Sequence, residues 1–339
     1  MRARLLICWA IRKSLLEDNA RGYMGPIATA FGTAVNSGTY HRAKPHKILG
    51  FDLTFNLAIA TVPEGGQFYD FVVPEQVILP IDNNLIPELG TEVINIEFIG
   101  TDLYAGNNLR SATFFGPDSS FDIVPNSSYA ISQVQSALAG QVPQLVIDNA
   151  MDVILNAINQ NLTIPTPVGI DFPALPMPIP QVSVGLPFST EVTLGGFSLS
   201  AGETDISFTR FGAKIGLNQF IPTVPLLFPA ISLGFYSTSL DLGGVVTANN
   251  SIITLQVSKS VPFLTVYGGF GIENSSIDVD YVFVDDDLGE IPIAFSLDGD
   301  NSFRTTIGFR LKLLLLSLHA DYSVGEYSAI TLGMGLTLR

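Results

Sequence analysis

Ser317, His319 and Asp321 occupy every second position of the stretch "SLHAD", and a serine, an imidazole and a carboxylate are the parts of a hydrolytic nucleophile. Their spacing argues against that chemistry. Side chains two apart on a strand sit about 6.6 to 7 Å from one another, whereas a nucleophile and its base need about 2.6 to 3.2 Å. The three are read as polar residues sharing one strand face, and only a partner strand would complete a catalytic set.

Two other groups invite a metal. His41 and His46 flank Lys44 and Pro45 in a turn; turn histidines usually remain unligated, so no metal is assigned. Asp285, Asp286, Asp287 and Glu290 fall in one loop region with Asp298, Asp300 and Asn301, a set of hard oxygen donors suited to calcium. Their spacing matches no EF-hand, and a solvated acidic loop is the plainer reading. The glycines of "YGGFG" at Tyr267–Gly271 follow strand alternation and mark close packing rather than a nucleotide loop.

The strongest constellation is diffuse. Arg210, Lys214, Arg304, Arg310 and Lys312 recur on the polar faces of separate strands, as do Asp52, Glu191 and Asp321. Facing each other across a lumen, the cations would bind the carboxylate of an amphiphile, with Tyr23, Phe31 and helical apolar stripes as its cradle. The competing expectation is that these charges pair among themselves and hold an N-terminal helix in place.

The elements carrying these residues are mostly strands. In "FRTTIGFRLKL", Phe303, Thr305, Ile307, Phe309, Leu311 and Leu313 alternate with Arg304, Thr306, Gly308, Arg310 and Lys312. "GFDLTFNLAIATVP" at Gly50–Pro63 alternates more cleanly and is long enough to cross a bilayer when tilted. Further strands are expected at 181–187, 190–199, 205–217, 230–240, 251–259, 263–272, 276–283, 315–323 and 327–338, and short ones at 91–99 and 109–115. Helical spacing from Leu16 to Ala34, interrupted at Pro26 and ended at Asn36–Gly38, predicts a helix ahead of the strands. Ser127–Leu138 and Pro143–Ile158 read as two more, the first capped by Ser127 or Ser128, with Val146, Ala150, Val153, Ile154 and Ile158 as the stripe of the second. Six prolines between Pro165 and Pro180 predict an extended connector unable to join a central sheet.

Composition separates the architectures. Of 339 residues 47% are hydrophobic and only 14% charged, below the roughly 25% of soluble domains. No apolar run reaches the ~18 residues of a membrane helix. Alternation that leaves one face greasy and the other sparsely charged, strand after strand, predicts a transmembrane barrel over a soluble sandwich. Eight of 16 basic residues lie between Arg2 and Lys47, and residues 48–209 hold 17 acids against the single base Arg110, which disfavours nucleic acid. Cys8 alone excludes an internal disulfide. The four Asn-x-Ser/Thr sequons are what an Asn-, Ser- and Thr-rich chain carries by chance.

"NARGYMGPIATAFGTAVNSGTYHRAKPHKILGFDLTFNLAIATVP", "PQVSVGLPFSTEVTL", "FGAKIGLNQFIP" and "NSFRTTIGFRLKLLLLSLHADYSVGEYSAITLGMGLTLR" together resemble a family of Gram-negative outer-membrane barrels known as a domain of unknown function. That family is distantly similar to fatty-acid-transporter (FadL-like) barrels. The resemblance spans about Asn19–Arg339, weakest in the acidic middle. It implies an exported barrel with an N-terminal segment folded into the lumen, and no catalytic residues. The terminal Arg339 departs from the aromatic end of many outer-membrane barrels.

The expected fold is all-β, a transmembrane antiparallel barrel of about 12 strands, within 10 to 14, with an N-terminal plug helix and a helical, Pro-rich insertion. Residues 1–14 are a candidate remnant of an export signal, 15–38 the plug helix, and 39–339 one barrel domain with an irregular insertion at 64–180. The expected role is passive transport of small hydrophobic or amphipathic molecules across the outer membrane of a Gram-negative bacterium. The expected partners are lipid and a hydrophobic ligand, with no cofactor, metal or enzymatic activity. The alternative is a non-transporting scaffold that docks a secreted or surface protein.

Overall fold

The computed structural model describes residues 2–202, 204–221, 228–285 and 289–338, with side chains from residue 17 onward except at 201, 283–285 and 291. The chain divides into two compact units, Met1–Tyr23 with Phe68–Asp171, and Met24–Gln67 with Phe172–Arg339.

The second unit is a closed antiparallel barrel. Its strands are β1 (Phe51–Thr61), β2 (Ala174–Leu186), β3 (Thr190–Ala201), β4 (Thr204–Gly216), β5 (Ala230–Leu242), β6 (Val246–Ser260), β7 (Leu264–Asp285), β9 (Phe303–Leu313), β10 (Leu316–Val324) and β11 (Ser328–Leu338). Each pairs with the next, and β11 pairs with β1, so the ring closes on ten strands. One more strand, β8 (Gly289–Asp298), pairs only with the outer half of β7 as a hairpin beyond the ring. The count falls below the expected dozen for a physical reason. Residues 263–272 and 276–283, expected as two strands, are one 22-residue strand, because polar Glu273–Ser276 continues the ladder against Asn249–Ile252 of β6 without a turn.

The prolines behave differently from expectation as well. Residues 174–180, expected to stay out of the sheet, form the first half of β2 and pair with β1 through Pro176, Pro178 and Pro180.

Closure of the ring leaves no strand of it as a free sheet edge along its whole length. It also makes two-residue alternation a division between inside and outside. On β11, Leu332, Met334 and Leu336 are 52%, 58% and 53% exposed, while Thr331 and Thr337, on the opposite face to either side of them, are buried. On β1 the buried side is Asp52, Thr54, Asn56, Ala58 and Ala60, and Leu53 and Phe55 point outward. The greasy face is therefore the outer one, the reverse of a soluble sandwich. Among the described residues no helix is long and apolar enough to cross a membrane.

Helix α1 (Arg2–Val35) is longer than the expected 15–38 at its start and ends three residues sooner. It passes Pro26 without a break. Gly38, at φ +64°, takes the left-handed conformation that redirects the chain after the helix; a Cβ there would approach the Thr331 methyl to 2.9 Å. We define the near rim of the barrel as the end where Phe51 pairs with Leu338, and the far rim as the end where Thr61 pairs with Ser328.

The other unit has its own core. Helix α2 (Ser127–Leu138) and helix α3 (Gln144–Leu162) pack Val134, Leu138, Ile147, Ile154 and Ile158 with Phe98, Ile96 and Ile81 of a two-stranded sheet, Gln76–Ile81 against Ile94–Ile99. The α2 cap is Asn126, whose side chain accepts the Tyr129 N–H at 3.1 Å, one residue before the expected serines. Burial pushes the Tyr104 hydroxyl up to about 12, and it donates to the Leu162 carbonyl at 2.7 Å. The apolar stripe of α3 is rotated from expectation, since Ile147 is buried and Val153 is 50% exposed.

That rotation is testable. Ile154→Ala should cost about 2 to 5 kcal/mol through the cavity it leaves, seen as faster proteolysis within residues 68–171, while Val153→Ala should leave the cleavage rate nearly unchanged.

Candidate functional site

The residues that could do chemistry converge inside the barrel, on the segment 24–50. At the far rim Thr29 donates to Asp300 at 3.2 Å, and the Asn301 amide donates to Thr33 at 2.6 Å. Halfway, the Asn56 amide donates to the Gly38 carbonyl at 2.9 Å and the Gln181 amide to the same oxygen at 3.2 Å. Towards the near rim the Ala43 N–H donates to Ser258 at 2.9 Å and the His46 N–H to Glu191 at 2.9 Å. The segment is thus bonded to the wall from one rim to the other. Close approach helps it fit: a Cβ on Gly269 of "YGGFG" would stand 2.5 Å from the Tyr40 hydroxyl, as the packing role expected of those glycines requires.

Four of the five predicted cations lie in this interior, each in a different node. Arg310 is 3.5 Å from Asp52, and Asp52 also accepts from the Nε2 atoms of His41 and His46, both at 2.8 Å, and from Thr337. Lys214 pairs with Glu191 at 2.7 Å and donates to the Arg42 carbonyl at 3.2 Å. Arg304 pairs with Glu273 at 3.0 Å and donates to Ser37 and to the Thr33 carbonyl, while Asn36 donates to Glu273 at 2.9 Å. Arg210 donates to the Val35 carbonyl, to Gln181 at 2.9 Å and to Thr238 at 3.3 Å. It makes no ion pair among the described residues, alone among these four. Unpaired charge in such surroundings is costly, and one-partner deletions of buried pairs cost about 3 to 5 kcal/mol.

The remaining predicted site residues are not part of this assembly. Lys312 is half-buried near the near rim, with no side-chain hydrogen bond or ion pair among the described residues, because its register partner is the neutral Ser317. Tyr23 belongs to the other unit, where its hydroxyl donates to the Val168 carbonyl at 2.9 Å and its ring stands edge-on to Phe114. Helical spacing had put it on one stripe with Phe31; it does not tell which part of a long helix meets which unit. Phe31 is buried in the barrel unit.

The other candidate groups take the following partners. Ser317 donates to the Gly335 carbonyl, His319 stacks on His41 at 4.7 Å between ring centres, and Asp321 accepts from Tyr267 at 2.9 Å, so the three share a face without forming a relay. His41 and His46 converge on one carboxylate oxygen instead of on a metal position, and no cluster of metal-ligating side chains occurs among the described residues. Of the acidic set, Asp286, Asp287 and the side chain of Asp285 lie outside what is described; Asp300 and Asn301 are engaged with Thr29 and Thr33. Sequence reasoning missed Arg42, Asn36 and Gln181 as members of the network. The first two sit in a turn without periodicity, and Gln181 has no charge to mark it.

The chain belongs to a family of unknown function (DUF6588), which matches residues 12–338. No curated protein matches it. Among solved structures it is similar to OmpT, an outer membrane protein of Vibrio cholerae, at 11% identity over 87% of this chain and 99% of that one, with a TM-score of 0.25. It is also similar to Ail, the attachment invasion locus protein of Yersinia pestis, at 12% identity over 50% of this chain and 87% of that one, with a TM-score of 0.19. A BenF-like porin from Pseudomonas fluorescens matches at 9% identity over 85% and 98%, with a TM-score of 0.12. Scores this low carry no weight for fold or activity; the barrel rests on its strand register. The expected likeness to fatty-acid transporters is not shown by these matches.

Asp52 is the acceptor on which most donors meet, so Asp52→Ala should destabilise the barrel by about 3 to 5 kcal/mol. The expected readout is a lower unfolding temperature in detergent and protease cleavage within 39–50, where the native protein resists.

Proposed function

We propose that the protein is an outer-membrane barrel of a Gram-negative cell, that residues 24–50 are its plug, and that it passes small hydrophobic or amphipathic molecules passively. The observation that carries this reading is the bonding of 24–50 to the wall along its whole length, inside a ring whose outer face is apolar. An apolar belt such as Leu53, Phe55, Leu332, Met334 and Leu336 suits lipid as its surroundings. An interior occupied by a chain segment held through Arg210, Glu273, Arg304, Asp52 and Glu191 suits gated or sideways passage better than open diffusion. No residue is assigned a catalytic role, and no energy-coupling motif occurs in the sequence.

A second reading has one observation in its favour. The unit at 68–171 has a core of its own and carries twelve acids against one base, Arg110, a surface suited to docking a basic partner without transport.

Planar-bilayer recording of the purified protein tests the plug, and uptake of a hydrophobic dye into protein-containing liposomes tests transport. The native protein should insert without steady current and accelerate dye uptake. Glu273→Ala with Arg304→Ala, which removes the anchors of Thr33, Asn36 and Ser37, should produce open-channel events. A steady current from the native protein would overturn the plug, and no acceleration of dye uptake would leave the docking scaffold.

A further inference from the structure

The ring is closed, but one of its seams is not zipped to the top. β2 pairs with β1 all along Ala174–Val184. With β3 it pairs only over Gln181–Leu186, against Thr190–Gly195. Residues 174–180 of β2 and 196–201 of β3 have no ladder partner across this seam, although β3 goes on pairing with β4 as far as Ala201.

The sequence explains the gap. Gly185 donates to the Gly50 carbonyl at 2.8 Å and accepts from the Leu49 N–H at 3.0 Å, so its backbone groups face β1. In an antiparallel ladder the two edges alternate residue by residue. The odd residues of β2 therefore face β1 and the even ones face β3. Pro176, Pro178 and Pro180 are even, so the edge offered to β3 has no N–H donor over five residues. The prolines that leave the β1 ladder intact are the ones that unzip the β3 side.

What lines the seam is also unlike the rest of the interior. Below it the inward residues are polar, Gln181, Ser183, Thr193 and Glu191. At its height they are Met177 and Ile179 of β2, both buried, and Phe197 of β3 stacked at 5.2 Å on the buried Phe208 of β4. On the outer face of β3 the exposed Leu194 gives way to Gly196, Ser198 and Ser200, all exposed, so the seam begins where the apolar belt ends. At its floor, on the last intact rung, Gln181 pairs with Gly195 and Gly195 with Arg210. A Cβ on Gly195 would lie 3.2 and 3.3 Å from the Cβ atoms of Gln181 and Arg210 and 2.7 Å from the Pro180 carbonyl, so glycine keeps that crossing open. Arg210 is 3% exposed and has no carboxylate partner among the described residues.

We propose that the β2–β3 seam is a side port for a single-chain anionic amphiphile, and that Arg210 is its head-group site. The tail lies along Met177, Ile179, Phe197 and Phe208, and the anionic head replaces the Val35 carbonyl on the guanidinium, loosening the end of α1. This rests on the reading of the barrel as a carrier of amphipathic molecules.

The test uses the full chain in phosphatidylcholine nanodiscs, with radiolabelled laurate as the probe and dodecanol as its uncharged counterpart. Arg210→Gln should weaken laurate binding at least about tenfold, the scale of one lost charged hydrogen bond, with little effect on dodecanol, and Arg210→Lys should retain most of the affinity. For the port, Pro178→Cys with Ser198→Cys in a Cys8→Ser background is bridged with a thiol-cleavable bismaleimide. Bridging should slow laurate uptake at least about tenfold and reduction should restore it, whereas a bridge between Val184→Cys and Val192→Cys in the paired part should not matter. Undiminished laurate binding by Arg210→Gln overturns the head site, and unchanged uptake by the bridged protein overturns the port. If the native protein carries laurate while both manipulations are silent, only this inference falls; if the native protein neither binds nor carries laurate or dodecanol, the transport reading falls with it.

Discussion

Everything inside this barrel depends on one constraint: a ring of ten strands turns half of each strand's side chains into an enclosed space, and charges enclosed there must be neutralised there. Asp52 shows how completely. Two imidazoles, a guanidinium and a hydroxyl close on one carboxylate whose side chain is 1% exposed. None of those donors except Thr337 comes from a strand bonded to β1; His41 and His46 come from the threaded segment and Arg310 from β9. The node therefore holds the segment to the wall and the wall to itself at once. The Lys214–Glu191 and Arg304–Glu273 pairs repeat the arrangement, each linked to the backbone of 24–50.

The outer face follows from the same division. Once polar residues are needed inward to receive the segment, two-residue alternation leaves the other half of each strand free to be apolar, and Leu53, Phe55, Ile307, Met334 and Leu336 take it. This is why the binary pattern was legible from sequence alone. It is local, it repeats on strand after strand, and it requires no knowledge of partners. The orientation of the pattern was harder, since a greasy face reads the same towards a core or towards lipid; the scarcity of charge decided it.

What sequence could not convey were relations between distant residues. Arg304 was visible as a charge on a polar face, but nothing local says that β9 lies against β7 in the register that brings Gly271 opposite Arg304 and Glu273 within its reach. Tyr23 lies in the other unit for a related reason, since helical periodicity fixes a face and is silent on what surrounds the helix eight residues along, at Phe31. The prolines of β2 misled through a rule applied to a whole strand. Proline is excluded from an edge that must donate, and β2 has two edges of which only one lost its donors.

Two cations hold the carbonyl end of α1, and they are not equivalent. Arg304 donates to the Thr33 carbonyl and Arg210 to the Val35 carbonyl, where the unsatisfied carbonyls of a helix end carry partial negative charge. If the helix end moves away, Arg304 keeps Glu273 and its charge stays matched. Arg210 keeps Gln181 and Thr238, neutral groups, and becomes a buried cation with no ion pair among the described residues. Displacing the segment is therefore opposed chiefly at Arg210, and the opposition disappears once an anion takes the carbonyl's place. A latch whose resistance is concentrated on one guanidinium without a carboxylate among the described residues, beside a stretch of wall without ladder bonds, couples movement of the segment to the charge of whatever enters there.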